Sequence, residues 1–287
     1  LAKSAEPSQQ PKIAYLMAAR AAPKQDFGAN TDHYLQLVAH QEQTLKDVGL
    51  ENILVQINLL LSRKEFIKAR NLIDQHHRHI GHDARLLALE IDLCLIEKRF
   101  DKAIEWLNNA RKNKIIDNGK ITSWEKVAFK GHFTQLITEN DRDTLLNYWQ
   151  KLPRKIKQIH TVLLAYCQVL AEHNITGPLN GLILPVIKKG GDATLINDIK
   201  ALPLTSGEDL IVAVEKHLHK NPDDLHWLSC LGHFAYTSQK LPLAEKAFNT
   251  LAQKSTTELS VQDAQTYANT LFALGKFEQA AKLLLTK

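Results

Sequence analysis

Large apolar residues recur along most of this chain at intervals of three and four, the pattern of helices that bury one face. The short pattern Phe-x-x-Ala occurs at Phe66 and again at Phe100, each time after a charged segment. Near the C-terminus, Leu241 and Phe277 also stand three residues before an alanine. The spacing from Phe66 to Phe100 matches the tetratricopeptide (TPR) helix–turn–helix unit, which is about 34 residues long. The sequence therefore predicts an all-α, TPR-like helical-repeat superhelix (α-solenoid) of antiparallel helix pairs.

The repeat register places small residues where two helices approach closely. In a TPR unit, positions 8 and 20 face neighbouring helices and take small side chains, while bulky residues fill the gaps around them. Counting units from residues 50, 84, 225 and 261 puts six small residues at these two positions. The residues expected at tight helix contacts are Ala69, Ala103, Gly232, Ala244, Ala268 and Ala280.

The same period divides the chain into one predicted solenoid with a less regular centre. We expect residues 1–11 to be a disordered N-terminal segment, because they are polar and show no period, and residues 12–287 to form a single TPR-like solenoid. Its predicted parts are a degenerate repeat at 12–49, repeats near 50–83 and 84–118, an off-period helical block at 119–204, and repeats near 205–224, 225–260 and 261–287. In the central block, the sequence Thr-Ser-Trp-Glu from Thr122 predicts a helix N-terminus, because it has the form of a capping box.

Composition and charge bear on which partners the protein can bind. Of the 287 residues, 44% are hydrophobic and 23% are charged, with a formal net charge of +5. The basic run Arg154–Lys157 suits an anionic membrane surface better than nucleic acid, because nucleic-acid binding favours a longer basic stripe with interleaved aromatic residues. The simplest interpretation of the run is an ordinary solvated helix end. No nucleic-acid partner is therefore expected. The chain does not begin with methionine, so we expect it to be a fragment of a longer protein.

The concave groove of a TPR superhelix is the usual surface for a partner peptide or ligand, and positions 2, 5, 9 and 12 of each first helix face it. The residues that the register predicts for a partner-binding groove are Asn58, Arg85, Asp92, His226, Ser229, His233, Tyr236, Asn269 and Phe272. The set around His226, His233 and Tyr236 mixes aromatic and polar groups, which suits a flat ligand or an extended peptide. The alternative is that these positions are simply solvated.

Four histidines near the predicted end of a helix form a second candidate site: His76, His77, His79 and His82. Neutral imidazole nitrogens ligate metals and haem iron, so these residues are candidates for haem or metal contacts. The alternative is a structural or solvated role, because cationic side chains suit the negative end of a helix dipole. Apart from haem, no cofactor or metal is expected.

Sequence motifs of catalysis are absent. There is no glycine-rich phosphate loop, no Cys-x-x-Cys, no His-Glu-x-x-His and no Gly-x-Ser-x-Gly. The Gly-x-Gly-x-x-Gly turn that binds the pyrophosphate of FAD or NAD is also missing. We therefore expect a protein that is not an enzyme.

Several blocks of the chain resemble the C-terminal domain of the HemY family, the proteobacterial inner-membrane TPR proteins associated with haem biosynthesis. The resemblance runs over almost the whole chain and includes residues 15–22, 145–155, 222–232 and 274–281. The block around Trp149 and the run from Trp227 to Gly232 are its more specific parts. The Leu-Gly-Lys-Phe motif near the C-terminus occurs in TPR proteins generally.

The resemblance implies a parent protein anchored in the bacterial inner membrane by helices that are absent from this chain, with the present domain facing the cytoplasm. It implies a non-enzymatic scaffold or adaptor in a late stage of protohaem biosynthesis, which acts through protein–protein interaction and has haem-biosynthesis enzymes as its partners. One alternative is a carrier that binds haem or another porphyrin, that is, a tetrapyrrole. An alternative from another class is an enzyme of porphyrin metabolism, which the absence of catalytic motifs disfavours.

Overall fold

The structure is a computed structural model, and it describes residues 10–21, 33–34, 36–37, 50–76, 83–114, 116–191, 193–200, 202, 204, 207–255 and 258–285. Within these ranges the regular structure is helical and there is no β-strand. No helix in the same ranges is long and apolar enough to cross a membrane. Most of the N-terminal segment for which disorder was predicted, residues 1–9, lies outside them.

The chain divides into two compact units, Leu1–His132 and Phe133–Lys287. The prediction of a single solenoid over residues 12–287 stays a prediction. The helices of the first unit are α1 (Gln10–Ala21), α2 (Leu50–Ser62), α3 (Phe66–Gln75), α4 (Ala84–Ile96), α5 (Phe100–Asn113) and α6 (Asn118–Gln135), which continues into the second unit. The second unit contains a π-helical turn (Leu136–Asn140), α7 (Arg142–Lys151), α8 (Arg154–Lys157), α9 (His160–Glu172), α10 (Leu179–Lys189), α11 (Ala193–Lys200), α12 (Glu208–Lys220), α13 (Leu225–Thr237), α14 (Leu241–Lys254), α15 (Val261–Ala273) and α16 (Phe277–Leu285).

Helix starts repeat along the chain as the sequence predicts. The first helices α2 and α4 begin at residues 50 and 84, and their partners α3 and α5 begin at residues 66 and 100, so both helices of the pair recur at the same interval. In the second unit, α13 and α15 begin at residues 225 and 261, and their partners α14 and α16 begin at residues 241 and 277, again at one shared interval. The predicted all-α helical-repeat fold is confirmed.

A common turn joins the two helices of a pair. In four pairs, three residues separate the helices, and the middle residue has a left-handed backbone with φ between 58° and 76°; these residues are Lys64, Lys98, Gln239 and Gly275. The amide of the next residue donates a hydrogen bond of 2.8–2.9 Å to the carbonyl five residues earlier. This is the Schellman arrangement, which satisfies a carbonyl at the end of the first helix. Asn174, with a φ of 59°, forms the same turn after α9.

The six small residues assigned to helix contacts are all buried. At Gly232 on α13, an added Cβ would lie 2.6 Å from the ring of Phe248 on α14. The ring fills the space that any larger residue at position 232 would need. The small residue therefore allows the two helices of this pair to approach closely.

Helix α6 begins before the point that the sequence predicts. The Asp117 carboxylate accepts hydrogen bonds from the backbone N–H groups of Gly119 and Lys120, at 2.8 and 3.2 Å. The hydroxyl of Thr122 instead donates to the carbonyl of Asn118 at 2.8 Å, inside the helix. The capping box predicted at Thr122 is wrong, because Asp117 caps the helix and a hydroxyl in a helix interior can bond to the carbonyl one turn back.

Helix α13 is the centre of the second unit. It packs against the first helices α11 and α15 of the neighbouring pairs and against the second helices α12 and α14. The Asp224 carboxylate starts it by accepting the N–H groups of His226 and Trp227, at 3.1 and 3.3 Å. Because neighbours surround it, most of its residues are buried, and some of those are polar.

Candidate functional site

Polar side chains from α11, α13 and α15 meet where these three helices pack together. Lys200 ends α11, Ser229 and His233 lie on α13, and Asp263 lies in the first turn of α15. None of the four is more than 9% exposed. We call these four residues the Asp263 cluster.

The Asp263 carboxylate is the hub of the cluster. It accepts hydrogen bonds from Lys200 Nζ at 3.0 and 3.3 Å, from Ser229 Oγ at 2.5 Å, from His233 Nε2 at 2.9 Å and from Ser260 Oγ at 2.6 Å. A buried carboxylate is costly unless it is paired and hydrogen-bonded, and here four donors satisfy it. The cluster therefore fixes α11, α13 and α15 relative to one another.

These contacts keep Asp263 ionised. Burial by itself raises the pKa of this carboxyl group, but the hydrogen bonds from His233, Ser229, Ser260 and Lys200 outweigh burial and hold the pKa below its ordinary value of 3.8. At neutral pH the cluster thus contains a permanent carboxylate that faces the Lys200 ammonium.

Ser229, His233 and Asp263 are the residue types of a catalytic triad, but their arrangement differs from one. In a triad, the imidazole lies between the serine and the carboxylate and removes the proton of the hydroxyl. Here the Ser229 hydroxyl donates directly to Asp263, and the His233 ring bonds separately to the same oxygen. The Nδ1 atom of His233 lies 3.4 Å from the Thr266 hydroxyl. The arrangement holds helices together and does not pair the serine with a base.

A cavity of about 580 Å³ lies over the Asp263 cluster. Its polar lining includes Asn197 of α11, His226 of α13 and Gln262 of α15, so three successive first helices contribute to it. The side-chain nitrogen of Asn197 lies 3.3 Å from Nδ1 of His226. Apolar lining comes from Leu225, Leu251 and Leu259. We call this cavity the α13 groove.

The structure places the predicted groove residues of the second unit at three depths. His226 is exposed and lines the α13 groove, and Ser229 lies in its floor. His233 is buried beneath the floor, where it bonds to Asp263. The other three predicted residues do not line this groove: Tyr236 is half-buried, and Asn269 and Phe272 are exposed on α15.

The predicted groove residues of the first unit lie together. Asn58, Arg85 and Asp92 line one cavity of about 430 Å³. Their polar groups bond within the protein: Asn58 donates to the Leu54 carbonyl at 2.8 Å, and Asp92 accepts the indole N–H of Trp124 at 2.6 Å. Arg85 forms ion pairs with Asp83, at 2.9 Å, and with Glu51.

The histidine-rich segment falls mostly outside the described part of the chain. His76 follows α3, and its backbone N–H donates to the Ile73 carbonyl at 3.0 Å. His77, His79 and His82 lie outside the described residues, so the proposed haem or metal contacts stay a prediction. Within the described residues, no group of three or more histidine, cysteine, aspartate or glutamate side chains is placed to hold a metal ion.

The basic run at α8 is partly used in packing. Lys157 donates to the carbonyl of Gln150 at 2.8 Å, and its Nζ lies 5.9 Å from the centre of the Trp149 ring. Trp149 in turn stacks on Tyr166 with ring centres 4.0 Å apart. One of the more specific blocks of the HemY resemblance thus builds an aromatic core of the second unit.

Sequence reasoning missed the two charged members of the Asp263 cluster. Lys200 lies in the block without a clear period, so no register assigned it to the groove. Asp263 carries a local signal, because residues Ser260 to Asp263 form a capping box in which Ser260 Oγ accepts the Asp263 N–H at 3.1 Å. That signal predicts the start of α15 and says nothing of Lys200, which is far away along the chain.

Comparison with known proteins gives one consistent relationship. No protein-family model matches the chain. Proteins named HemY from Escherichia coli (strain K12), Escherichia coli O157:H7 and Shigella flexneri are 24% identical to it over 291 residues, covering 99% of this chain and 70% of their own length. The resemblance to the HemY family read from the residues is thereby confirmed over nearly the whole chain.

Proposed function

We propose that this chain is a non-enzymatic scaffold domain of the HemY type that binds a protein partner through the α13 groove. The observation that carries the proposal is the Asp263 cluster, which joins three successive first helices directly beneath the groove. A surface whose shape is fixed before binding loses less conformational entropy when a partner docks.

The lining of the groove suits an extended peptide. The side chains of Asn197, His226 and Gln262 can both donate and accept hydrogen bonds, as the backbone of an extended segment requires. Leu225 and Leu259 offer apolar surface for the side chains of such a segment. A partner segment would therefore find both hydrogen-bonding groups for its main chain and apolar contacts for its side chains in the lining of the groove.

The pathway and location of this function follow from the HemY resemblance. Our proposal places the domain in a late stage of protohaem biosynthesis, with haem-biosynthesis enzymes as partners. The parent protein would be anchored in the bacterial inner membrane with this domain on the cytoplasmic side. The geometry of Ser229 supports a role without catalysis, because its hydroxyl donates to a carboxylate and not to an imidazole base.

A haem or porphyrin carrier is the second candidate, and His226 is the observation that favours it. This exposed residue lies at the groove, and its Nε2 atom has no bonding partner within the described residues. A neutral imidazole nitrogen of this kind can ligate haem iron. Titrating the domain with haem and recording the Soret band would distinguish a carrier from a scaffold.

The main experiment measures binding of the purified domain to immobilised enzymes of the porphyrin-handling steps. The test variant is Asn197→Ala/His226→Ala, and the control is His219→Ala/Asn249→Ala, which removes the same residue types from exposed positions of α12 and α14. We expect the groove variant to weaken binding about tenfold or more, equivalent to about 1.4 kcal/mol, and the control to change it little.

Two outcomes would overturn the proposal. One is equal binding by wild type and the groove variant. The other is turnover of protoporphyrinogen by the purified domain alone, which would identify an enzyme. A Soret shift with haem that is lost in Asn197→Ala/His226→Ala would replace the scaffold by the carrier.

A further inference from the structure

A second cavity of the C-terminal unit, of about 540 Å³, lies between α10 and α12. Both are second helices of their pairs, so this cavity is formed by different elements from the α13 groove. Apolar residues, including Ile187, Val212 and Ala213, form part of its lining. Val212 is 65% exposed although it is aliphatic. We call this space the α10–α12 cavity.

Positive charge is concentrated around this cavity. Its lining includes the lysines Lys188, Lys189, Lys216 and Lys220, all of which are exposed. Within the described residues, none of these four side chains has a hydrogen bond or an ion pair. Asp209 is the one acidic residue in the lining, so the cavity carries a net positive charge.

Some other lysines on the surface of this unit form ion pairs. Lys240, Lys254 and Lys276 pair with carboxylates at distances of 3.1, 2.5 and 2.5 Å. The four cavity lysines differ from these three in having no such partner within the described residues. Their mutual repulsion is a cost that an anion in the cavity would remove.

The helix dipole accounts for only part of this arrangement. Lys188 and Lys189 lie in the last turn of α10 and Lys220 in the last turn of α12, where a cation is favoured by the negative end of the helix. Lys216 lies before the last turn of α12 and gains little from that effect, yet it lines the same cavity. The lysines thus share a cavity and not only a helix terminus.

The aromatic wall of the cavity is fixed in place. His217 lines the cavity and stacks on the buried Trp227, with ring centres 4.0 Å apart and an interplanar angle of 18°. Its Nε2 atom also lies 3.5 Å from the Asp224 carboxylate. A ligand would therefore meet a packed aromatic wall on one side and solvated ammonium groups around it.

We infer that the α10–α12 cavity binds a ligand that carries phosphate. Lysine ammonium groups act as point charges toward phosphate, whereas arginine would impose bidentate geometry. The volume leaves room for more than one phosphate or for an attached organic group. The shared chemistry is a phosphate group with multiple negative charge or a phosphodiester, and its source is either a free phosphorylated compound or the headgroup of an anionic phospholipid.

The test uses two probes on the whole chain. Calorimetric titration with inorganic pyrophosphate, in about 0.1 M salt where charges are screened over about 10 Å, measures the free-phosphate source. Co-sedimentation with vesicles of phosphatidylcholine and phosphatidylglycerol measures the lipid source, and vesicles of phosphatidylcholine alone are the blank. The test variant is Lys188→Gln/Lys216→Gln. The control, Lys151→Gln/Lys246→Gln, removes the same charge from exposed lysines that do not line the cavity.

We expect wild type to bind at least one probe, the test variant to bind it about tenfold more weakly or worse, and the control to stay within about twofold of wild type. Binding of pyrophosphate without vesicles identifies a free phosphate compound, and binding of vesicles alone identifies a lipid headgroup. Absence of binding to either probe overturns the inference. Equal weakening in the two variants also overturns it, because general charge attraction would then explain the binding. Circular dichroism of all three proteins establishes that each is folded.

Discussion

The two units of this chain each contain a charge network, which is half-buried in the first unit and buried in the second, and we propose different roles for the two networks. In the first unit, Arg70 of α3 donates to Glu90 at 2.6 and 2.9 Å and to Glu97 at 2.7–3.2 Å. This network joins the second helix of one pair to the first helix of the next. In the second unit, the Asp263 cluster joins three first helices and forms the floor of a groove.

The two networks differ in their surroundings although both satisfy their charged groups internally. The Arg70 network is satisfied entirely by groups of its own, including the Cys94 thiol, which donates to Glu90 at 3.2 Å. Burial and the nearby Glu90 raise the pKa of that thiol to about 12, so it stays protonated. The Asp263 cluster is satisfied in the same way but lies next to the cavity of the α13 groove, and for that reason we propose that it supports binding.

We expect the largest loss of stability when the central residue of either network is replaced. Asp263→Ala leaves Lys200 buried without its carboxylate, and Arg70→Met leaves Glu90 buried without its guanidinium. We expect each change to lower the free energy of unfolding by about 3–5 kcal/mol, measured by urea denaturation. Lys200→Met/Asp263→Leu should cost less than Asp263→Ala, because it removes both buried charges together. A double variant as unstable as Asp263→Ala would show that the ion pair is not the source of the loss.

The effect of pH follows from the direction of the Asp263 pKa shift. Because the folded state lowers this pKa below 3.8, the carboxylate stabilises the fold fully above that value and progressively less as the pH falls below it. The difference in unfolding free energy between wild type and Asp263→Asn should be constant between about pH 5 and 7 and should shrink below about pH 4. Denaturant titrations over this range check the expectation, and a difference that grows on acidification would contradict it.

We expect an intermediate effect on stability when a glycine at a tight helix contact is replaced, and a glycine in open space serves as the comparison. Gly232→Ala places a methyl group 2.6 Å from the Phe248 ring, and we expect a loss of about 1–3 kcal/mol from overpacking. Gly181→Ala on α10 meets nothing within 4 Å, and it should stabilise the fold by up to about 1 kcal/mol, because alanine is the better helix former. Thermal melts of both variants test the pair, and destabilisation by Gly181→Ala as large as that by Gly232→Ala would refute the packing argument.

We expect the smallest effect on stability from substitutions in the turn that the helix pairs share. Gln239 and Gly275 occupy the same left-handed position, with φ of 58° and 76°. A side chain is disfavoured there, so Gln239→Gly should stabilise the fold and Gly275→Ala should destabilise it, each by about 1 kcal/mol or less. Denaturation midpoints of the two variants should move in opposite directions. Shifts of the same sign would mean that the two turns are not equivalent.

The sequence predicts the fold better than the site, and particular residues show why. The repeat of Phe66 and Phe100 is visible because helix packing imposes a fixed period. The equivalent turn at Asn174 is not predicted, because it lies in the central block, where the sequence shows no clear period. The pairing of Lys200 with Asp263 joins two helices that are distant along the chain, and no local pattern carries that information.

His233 shows how a correct register can still leave a role undetermined. Its position in α13 is one that faces the groove in a TPR unit, and the sequence predicts it there beside His226. The structure makes His226 accessible and commits His233 to the buried carboxylate. Replacing His233 would therefore disturb the fold as well as the groove, and His226 is the cleaner residue with which to test binding.

The measurement that tests the central claim most directly is the affinity of Lys200→Met/Asp263→Leu for the immobilised haem-biosynthesis enzymes, compared with wild type and with Arg70→Met. If the Asp263 cluster fixes a partner-binding groove, the folded double variant loses binding while Arg70→Met keeps it at temperatures where each remains folded. Binding by the double variant that is as tight as that of wild type would contradict the account.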